Sequence, residues 1–157
     1  MKHESRIPLP AQIDPCWKIG VVRSSFYKEE MEEMTQIAKE ALTAAGILAS
    51  NVSVHDAAGS FEVPLVGRML AHEKTVDALI GLGIIVEGDT HHARLLADAA
   101  ARGMMDVQLR YGMPFAFEIL YVDDIALARE RLEKGKEAAY AALHSLVELK
   151  RIRSEGR

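Results

Sequence analysis

The run from Val76 to Ile85, VDALIGLGII, is the feature that most constrains this chain. It is apolar without alternation, so both of its faces need cover. Such a strand belongs in the middle of a parallel sheet with helices on either side. A parallel neighbour is reached only by a crossover, usually a helix, and the flanking segments supply crossovers in order. Trp17 to Val22 is a second short apolar run and reads as a strand. Lys28 to Ala45 places Met31, Met34, Ile37, Ala38, Ala41 and Leu42 at helical spacing, with Gly46 as a stop. Val52 and Val54 mark another strand, and Gly59-Ser60 turns the chain into a helix predicted over Phe61 to His72. After the central run, Gly88-Asp89-Thr90 opens a helix predicted over His91 to Tyr111, and Pro114 to Tyr121 reads as the fourth strand. Asp123-Asp124 caps a last helix predicted over Ile125 to Arg151, with Lys150, Arg151 and Arg153 at its end as the helix dipole favours. Residues 1–16, with Pro8, Pro10 and Pro15 and no periodicity, read as an extended arm. Residues 17–151 read as one domain and 152–157 as a tail. Strand–helix alternation without linker or repeat predicts right-handed βαβ units. The expected fold is α/β, a three-layer α/β/α sandwich on a four-stranded parallel sheet.

Composition narrows the function. The 157 residues carry a net charge of −4, which disfavours a non-specific nucleic-acid binder. The single cysteine, Cys16, excludes an intrachain disulfide and a cysteine-based zinc cluster. No apolar run reaches the roughly 18 residues of a membrane span, and the first residues have no apolar signal core. A cytoplasmic protein without nucleic-acid or membrane partners is expected. The chain is 49% hydrophobic but only 6% aromatic, so the position of each ring is informative.

Ligands of open parallel sheets bind outside the carboxyl ends of the strands, which directs attention to four loops. The first holds Phe26, which either stacks on a planar heterocycle or covers the core. In the second, Gly59 permits close approach of a ligand, Ser60 suits an N-cap, and Glu62 suits either a helix start or a polyol or amino group. In the third, Gly88-Asp89-Thr90 precedes a helix N-terminus, where free N–H groups and the dipole favour an anion such as phosphate. Capping by Asp89 and Thr90 is the alternative. Neither a Walker A loop nor a GxGxxG fingerprint is present. His91 and His92 are adjacent and do not make an i, i+4 metal pair, but a histidine beside a phosphate site suits proton transfer. In the fourth region, Phe115 and Phe117 share one face of a strand. The charged stretch from Arg129 to Lys134 reads on spacing alone as a solvated helix face.

Taken together and in order, these loops resemble the lumazine synthase family. The matching segments are Phe26, Gly59-Ser60-Phe61-Glu62-Val63-Pro64, Gly83-Ile84-Ile85-Val86-Glu87-Gly88-Asp89-Thr90-His91-His92 and Met113-Pro114-Phe115-Ala116-Phe117. They continue with Ala128-Arg129-Glu130-Arg131 and Lys134-Gly135-Lys136-Glu137-Ala138-Ala139. The resemblance implies a flavodoxin-like fold and a transferase of riboflavin biosynthesis. Its reaction condenses 5-amino-6-(D-ribitylamino)uracil with 3,4-dihydroxy-2-butanone 4-phosphate, giving 6,7-dimethyl-8-ribityllumazine, phosphate and water. It implies no cofactor and no metal. By position, Phe26 stacks on the uracil, and Ser60, Phe61 and Glu62 with Ile84, Ile85 and Val86 hold the ring and its ribityl chain. Asp89 and Thr90 contact phosphate through their main chain, and His92, not His91, moves the protons. The family's sites lie between subunits of a homo-oligomer, a pentamer or a multiple of it. Phe117 and the phosphate ligand Arg131 therefore come from the neighbour, and Lys134 adds charge.

Four departures from the family pattern stand out. Ala57-Ala58 replaces Val-Pro, Tyr27 stands where Asn is common, Glu87 where Arg or Lys is frequent, and Glu118 where Gly is usual, near the predicted ring pocket. Two alternatives compete: a related riboflavin-pathway enzyme of the archaeal riboflavin synthase type, and a catalytically weak flavin- or lumazine-binding shell protein. A flavodoxin-like regulatory domain lacks its acidic cluster after the first strand.

Overall fold

A computed structural model describes residues 7–156. Four strands, β1 (Ile19–Ser24), β2 (Val52–Ala57), β3 (Ala78–Val86) and β4 (Phe115–Val122), form one parallel sheet in the order β2-β1-β3-β4. Helices α1 (Lys28–Ala44), α2 (Val63–His72), α3 (His92–Tyr111), α4 (Ile125–Arg129) and α5 (Lys134–Glu155) connect and cover it. The apolar run is β3, which lies between β1 and β4 and is buried from Ala78 through Ile85.

Side-chain alternation divides the interior into two cores. On one face, Ile19, Val21, Ile80, Leu82, Ala116 and Leu120 pack with Met31, Met34 and Leu42 of α1 and Ala139 and Leu143 of α5. On the other, Val22, Leu79, Phe115 and Ile119 pack with Val63 and Ala71 of α2 and Ala100 and Met104 of α3. Apart from Phe115, these residues are aliphatic, and helices on both faces of the parallel sheet make the expected α/β/α sandwich.

Boundaries differ where side chains intervene. The first and third strands begin two residues later than their apolar runs. There Lys18 donates its N–H to the Asp77 carboxylate at 2.8 Å, and Asp77 returns its N–H to the Lys18 carbonyl at 2.7 Å. A 3-10 turn over Ser60–Glu62 precedes α2. The last helix is not continuous. The N–H groups of Arg131, Lys134 and Gly135 donate to carbonyls three residues back, the tighter 3-10 spacing, which separates α4 from α5. At the start of α5, a Cβ on Gly135 would lie 2.6 Å from the Met34 carbonyl, so α5 begins in close contact with α1. At its other end α5 runs to Glu155, through part of the expected tail, with Arg151 paired to Glu148 and Glu155. Asp124 does cap α4, accepting from the Leu127 N–H at 3.2 Å.

Residues 1–6 of the expected arm, and Arg157 of the expected tail, lie outside the described residues. Within the arm, Ile13 packs against the α1/α5 core, and Pro15 accepts from the Leu48 N–H at 3.2 Å.

Candidate active site

The chain leaves β1 toward β2 on one side and returns to β3 on the other, so the gap between the ends of β1 and β3 is the switch point of this sheet. The β1–β3 ladder stops at Arg23 opposite Leu82, while β3 and β4 stay paired to Val86 and Val122. The β1-facing main chain beyond Leu82 therefore has no strand partner. Main-chain groups left unpaired in this way are available to a ligand.

The loops after β1 and β2 close around that notch. Ser25 donates its N–H (3.0 Å) and its hydroxyl (2.6 Å) to the Ala57 carbonyl, and the Phe26 N–H donates to Ser24 Oγ at 3.2 Å. These bonds aim Phe26, which is 63% exposed, over Gly59, where a Cβ would sit 3.2 Å from the ring. The same Cβ would lie 3.7 Å from Glu62 Oε2. Ser60 is not an N-cap. Its hydroxyl points at Gly83 of β3, where any side chain would collide with it. Ser60 Oγ and Glu62 Oε2 are both buried without a hydrogen-bond partner. An unpaired buried polar atom costs about 1–3 kcal/mol, so a polar group that bonded these oxygens would be favoured here.

Beside it, α3 opens the third loop. Asp89 and Thr90 do not cap it, and no side chain does, so the first-turn N–H groups are free. This favours the anion reading of the loop over capping. His91 takes a left-handed conformation (φ 58°) at the N-cap, and His92 is the first helical residue, exposed to solvent. Glu87 intrudes: its carboxylate accepts the Gly88 N–H at 3.0 Å.

The other expected residues divide. Ile84 and Ile85 bury their side chains in opposite cores, so they offer a ligand only main chain; Val86 is half-buried. Phe61 is 58% exposed. Phe117 is 43% exposed on β4, whereas Phe115, two residues earlier on the same face, is 4% exposed. Phe117 lies opposite Gly81, well below the strand ends. Arg131 is exposed, and among the described residues its guanidinium donates to the Leu127 carbonyl at 3.2 Å. Lys134 pairs with Glu137 at 3.6 Å. Among the described residues, no hydrogen bond, ion pair or ring contact joins Phe117, Arg131 or Lys134 to the Phe26–Ser60–Glu62 corner.

Within the chain, Glu118 lies on the sheet face opposite Ser60. Alternation turns it to the α5 face with Ala116 and Leu120, while Ser60 and Phe117 belong to the opposite face. Burial pushes its carboxyl up to about 7, with Lys134 opposing and Glu137 adding to the rise. Sequence reasoning missed Gly83 and Ser24 as site builders. A glycine inside an apolar strand was the available signal for the first.

A sequence model of the 6,7-dimethyl-8-ribityllumazine synthase family matches residues 17–151. The chain belongs to the 6,7-dimethyl-8-ribityllumazine synthase family. Among its relatives of that name, the protein of Neisseria meningitidis serogroup C / serotype 2a is 32% identical over 127 residues, 80% of each chain. That of Ruthia magnifica subsp. Calyptogena magnifica is 30% identical over 145 residues, 86% of this chain and 87% of its own. Among the described residues no helix is long and apolar enough to cross a membrane.

Proposed function

We infer that this chain makes 6,7-dimethyl-8-ribityllumazine from 5-amino-6-(D-ribitylamino)uracil and 3,4-dihydroxy-2-butanone 4-phosphate, releasing phosphate and two molecules of water. One observation carries the reading. Two unpartnered buried oxygens, Ser60 Oγ and Glu62 Oε2, adjoin the exposed Phe26 ring and a free β3 edge, beside an uncapped helix. That is a socket for a planar, polar ring next to a seat for phosphate.

Phe26 stacks on the pyrimidine, and the main chain of Gly83 to Val86 reads its edge. Ser60 and Glu62 bond its amino and ribityl groups, with Phe61 closing the pocket. The α3 terminus, through Asp89 and Thr90 main chain, and Arg131 hold the phosphate, with Lys134 adding charge. The amine attacks the ketone carbonyl, and His92 supplies the proton that lets water leave as the imine forms. Loss of phosphate follows, its charge held by the helix terminus and Arg131. Ring closure by the second nitrogen then expels the second water. Holding both substrates together contributes much of the rate.

Phe117 and Arg131 act from a neighbouring subunit in an assembly of pentamers. The support is their separation from the Phe26 corner within one chain, together with an exposed apolar face on α2 and α3. Leu65, Met69, Leu95 and Leu109 are 53–73% exposed there.

Mixing the two substrates with protein and following lumazine absorbance tests the reading. Acceleration over the uncatalysed rate is expected, with His92→Asn losing about 100-fold in kcat. No acceleration overturns it, and riboflavin formed from lumazine alone points instead to the synthase alternative. One observation favours a second reading, a weakly active lumazine-binding protein: Glu87 already occupies the Gly88 N–H. Restored turnover in Glu87→Lys would identify that case.

A further inference from the structure

An open cavity lies at the opposite, amino-terminal end of the sheet from the candidate active site. It has a volume of about 530 Å³ and is lined by Trp17, Tyr111, Lys74, Asp77, Lys150 and Arg153, among others. That volume falls within the usual range of small-molecule sites, about 300–1,000 Å³. Its walls come from four parts of the chain: the entry to β1, the α2–β3 and α3–β4 connections, and the last turns of α5. The nine residues of β3 separate it from the candidate active site by about 30 Å, at roughly 3.3 Å per residue.

Its chemistry is specific. Two aromatic rings, Trp17 and Tyr111, stand in a chain with few of them. Three cations, Lys74, Lys150 and Arg153, border the same space, and among the described residues none is paired with a carboxylate. By contrast, Arg151, on the same stretch of α5, is held by Glu148 and Glu155. The lining carboxylate, Asp77, already accepts the Lys18 N–H at 2.8 Å. The Lys150 Nζ sits 5.8 Å from the centre of the Trp17 ring, so this indole face already attracts positive charge. In a chain of net charge −4, three unpaired cations around one concavity make a local positive field that draws anions.

We propose that this cavity is a second binding site, for a planar heteroaromatic phosphomonoester of mononucleotide size. The ring lies against Trp17 and Tyr111, and the phosphate meets Lys74, Lys150 and Arg153. Two ligand features are needed, because neither the rings nor the cations alone account for the lining. The site is independent of the reaction proposed above and shares no residue with it.

Trp17 is the sole tryptophan, so its emission reports on this cavity directly. The full-length protein is titrated with adenosine 5′-monophosphate, adenosine and inorganic phosphate, with equilibrium dialysis of labelled adenosine 5′-monophosphate in parallel. The nucleotide should bind saturably, at least ten times more tightly than adenosine or phosphate, and more weakly at higher salt. The pair Lys74→Ala and Arg153→Glu leaves the Trp17–Lys150 contact in place and should cost at least tenfold in affinity, with lumazine formation and far-ultraviolet dichroism unchanged. Absence of nucleotide binding by dialysis overturns the proposal. So does equal affinity for phosphate alone, or an unchanged curve in the double variant.

Discussion

Replacing Glu118 by glutamine should make this protein more stable above neutral pH and flatten its stability profile. Burial against α5 raises the Glu118 carboxyl from 4.5 to about 7, with Lys134 pulling it down and Glu137 pushing it up. Between those two values the folded chain holds a proton that the unfolded chain has released. Stability therefore falls as pH rises from about 4.5 to about 7, and the full penalty remains above that. At about 1.4 kcal/mol per tenfold, the ceiling is about 3 kcal/mol. Partial solvent contact and relaxation bring the expected cost nearer about 1–2 kcal/mol. Glutamine keeps the shape and removes the charge. Urea unfolding at one fixed protein concentration, at pH 5 and pH 8, measures the difference; fixing the concentration holds any contribution from self-association constant. The wild type should lose about 1–2 kcal/mol relative to the variant between the two pH values. Parallel profiles would refute the argument, since the carboxyl would then titrate as an ordinary exposed group.

Three further outcomes follow from local geometry. Tyr27 is a non-glycine residue at φ 56°, so Tyr27→Asn, the residue the family pattern favours there, should raise the unfolding free energy by about 0.5–1 kcal/mol in chemical denaturation. Ser60→Ala removes a hydroxyl that bonds nothing, so stability should hold within about 1 kcal/mol while KM for the ribitylaminouracil rises; a large stability loss would mean the hydroxyl has a partner within the protein. Gly135→Ala drives a methyl onto the Met34 carbonyl and should cost about 1–3 kcal/mol in the same unfolding assay, despite alanine's better helix propensity.

Much of the architecture could be read directly from the residues. An unalternating apolar run needs cover on both faces, and a parallel sheet then needs a helix between successive strands. Those are local consequences of composition and periodicity, and they led to β3 at the centre and to the α/β/α layers. The loops that carry the family's motifs were legible for the same reason: they follow the strands. Tertiary contact decided the rest. The close approach of Gly135 to Met34 joins residues one hundred and one positions apart, which periodicity cannot sense. That Ser60 turns its hydroxyl to β3 rather than capping a helix depends on Gly83, brought opposite it only when β3 forms. Strand alternation in the folded sheet puts Glu118 and Phe117 on opposite faces, and which neighbours each then meets is set by the helices packed there. The field and burial acting on a side chain come from atoms distant in sequence, so the ionisation of Glu118 was decided by the fold.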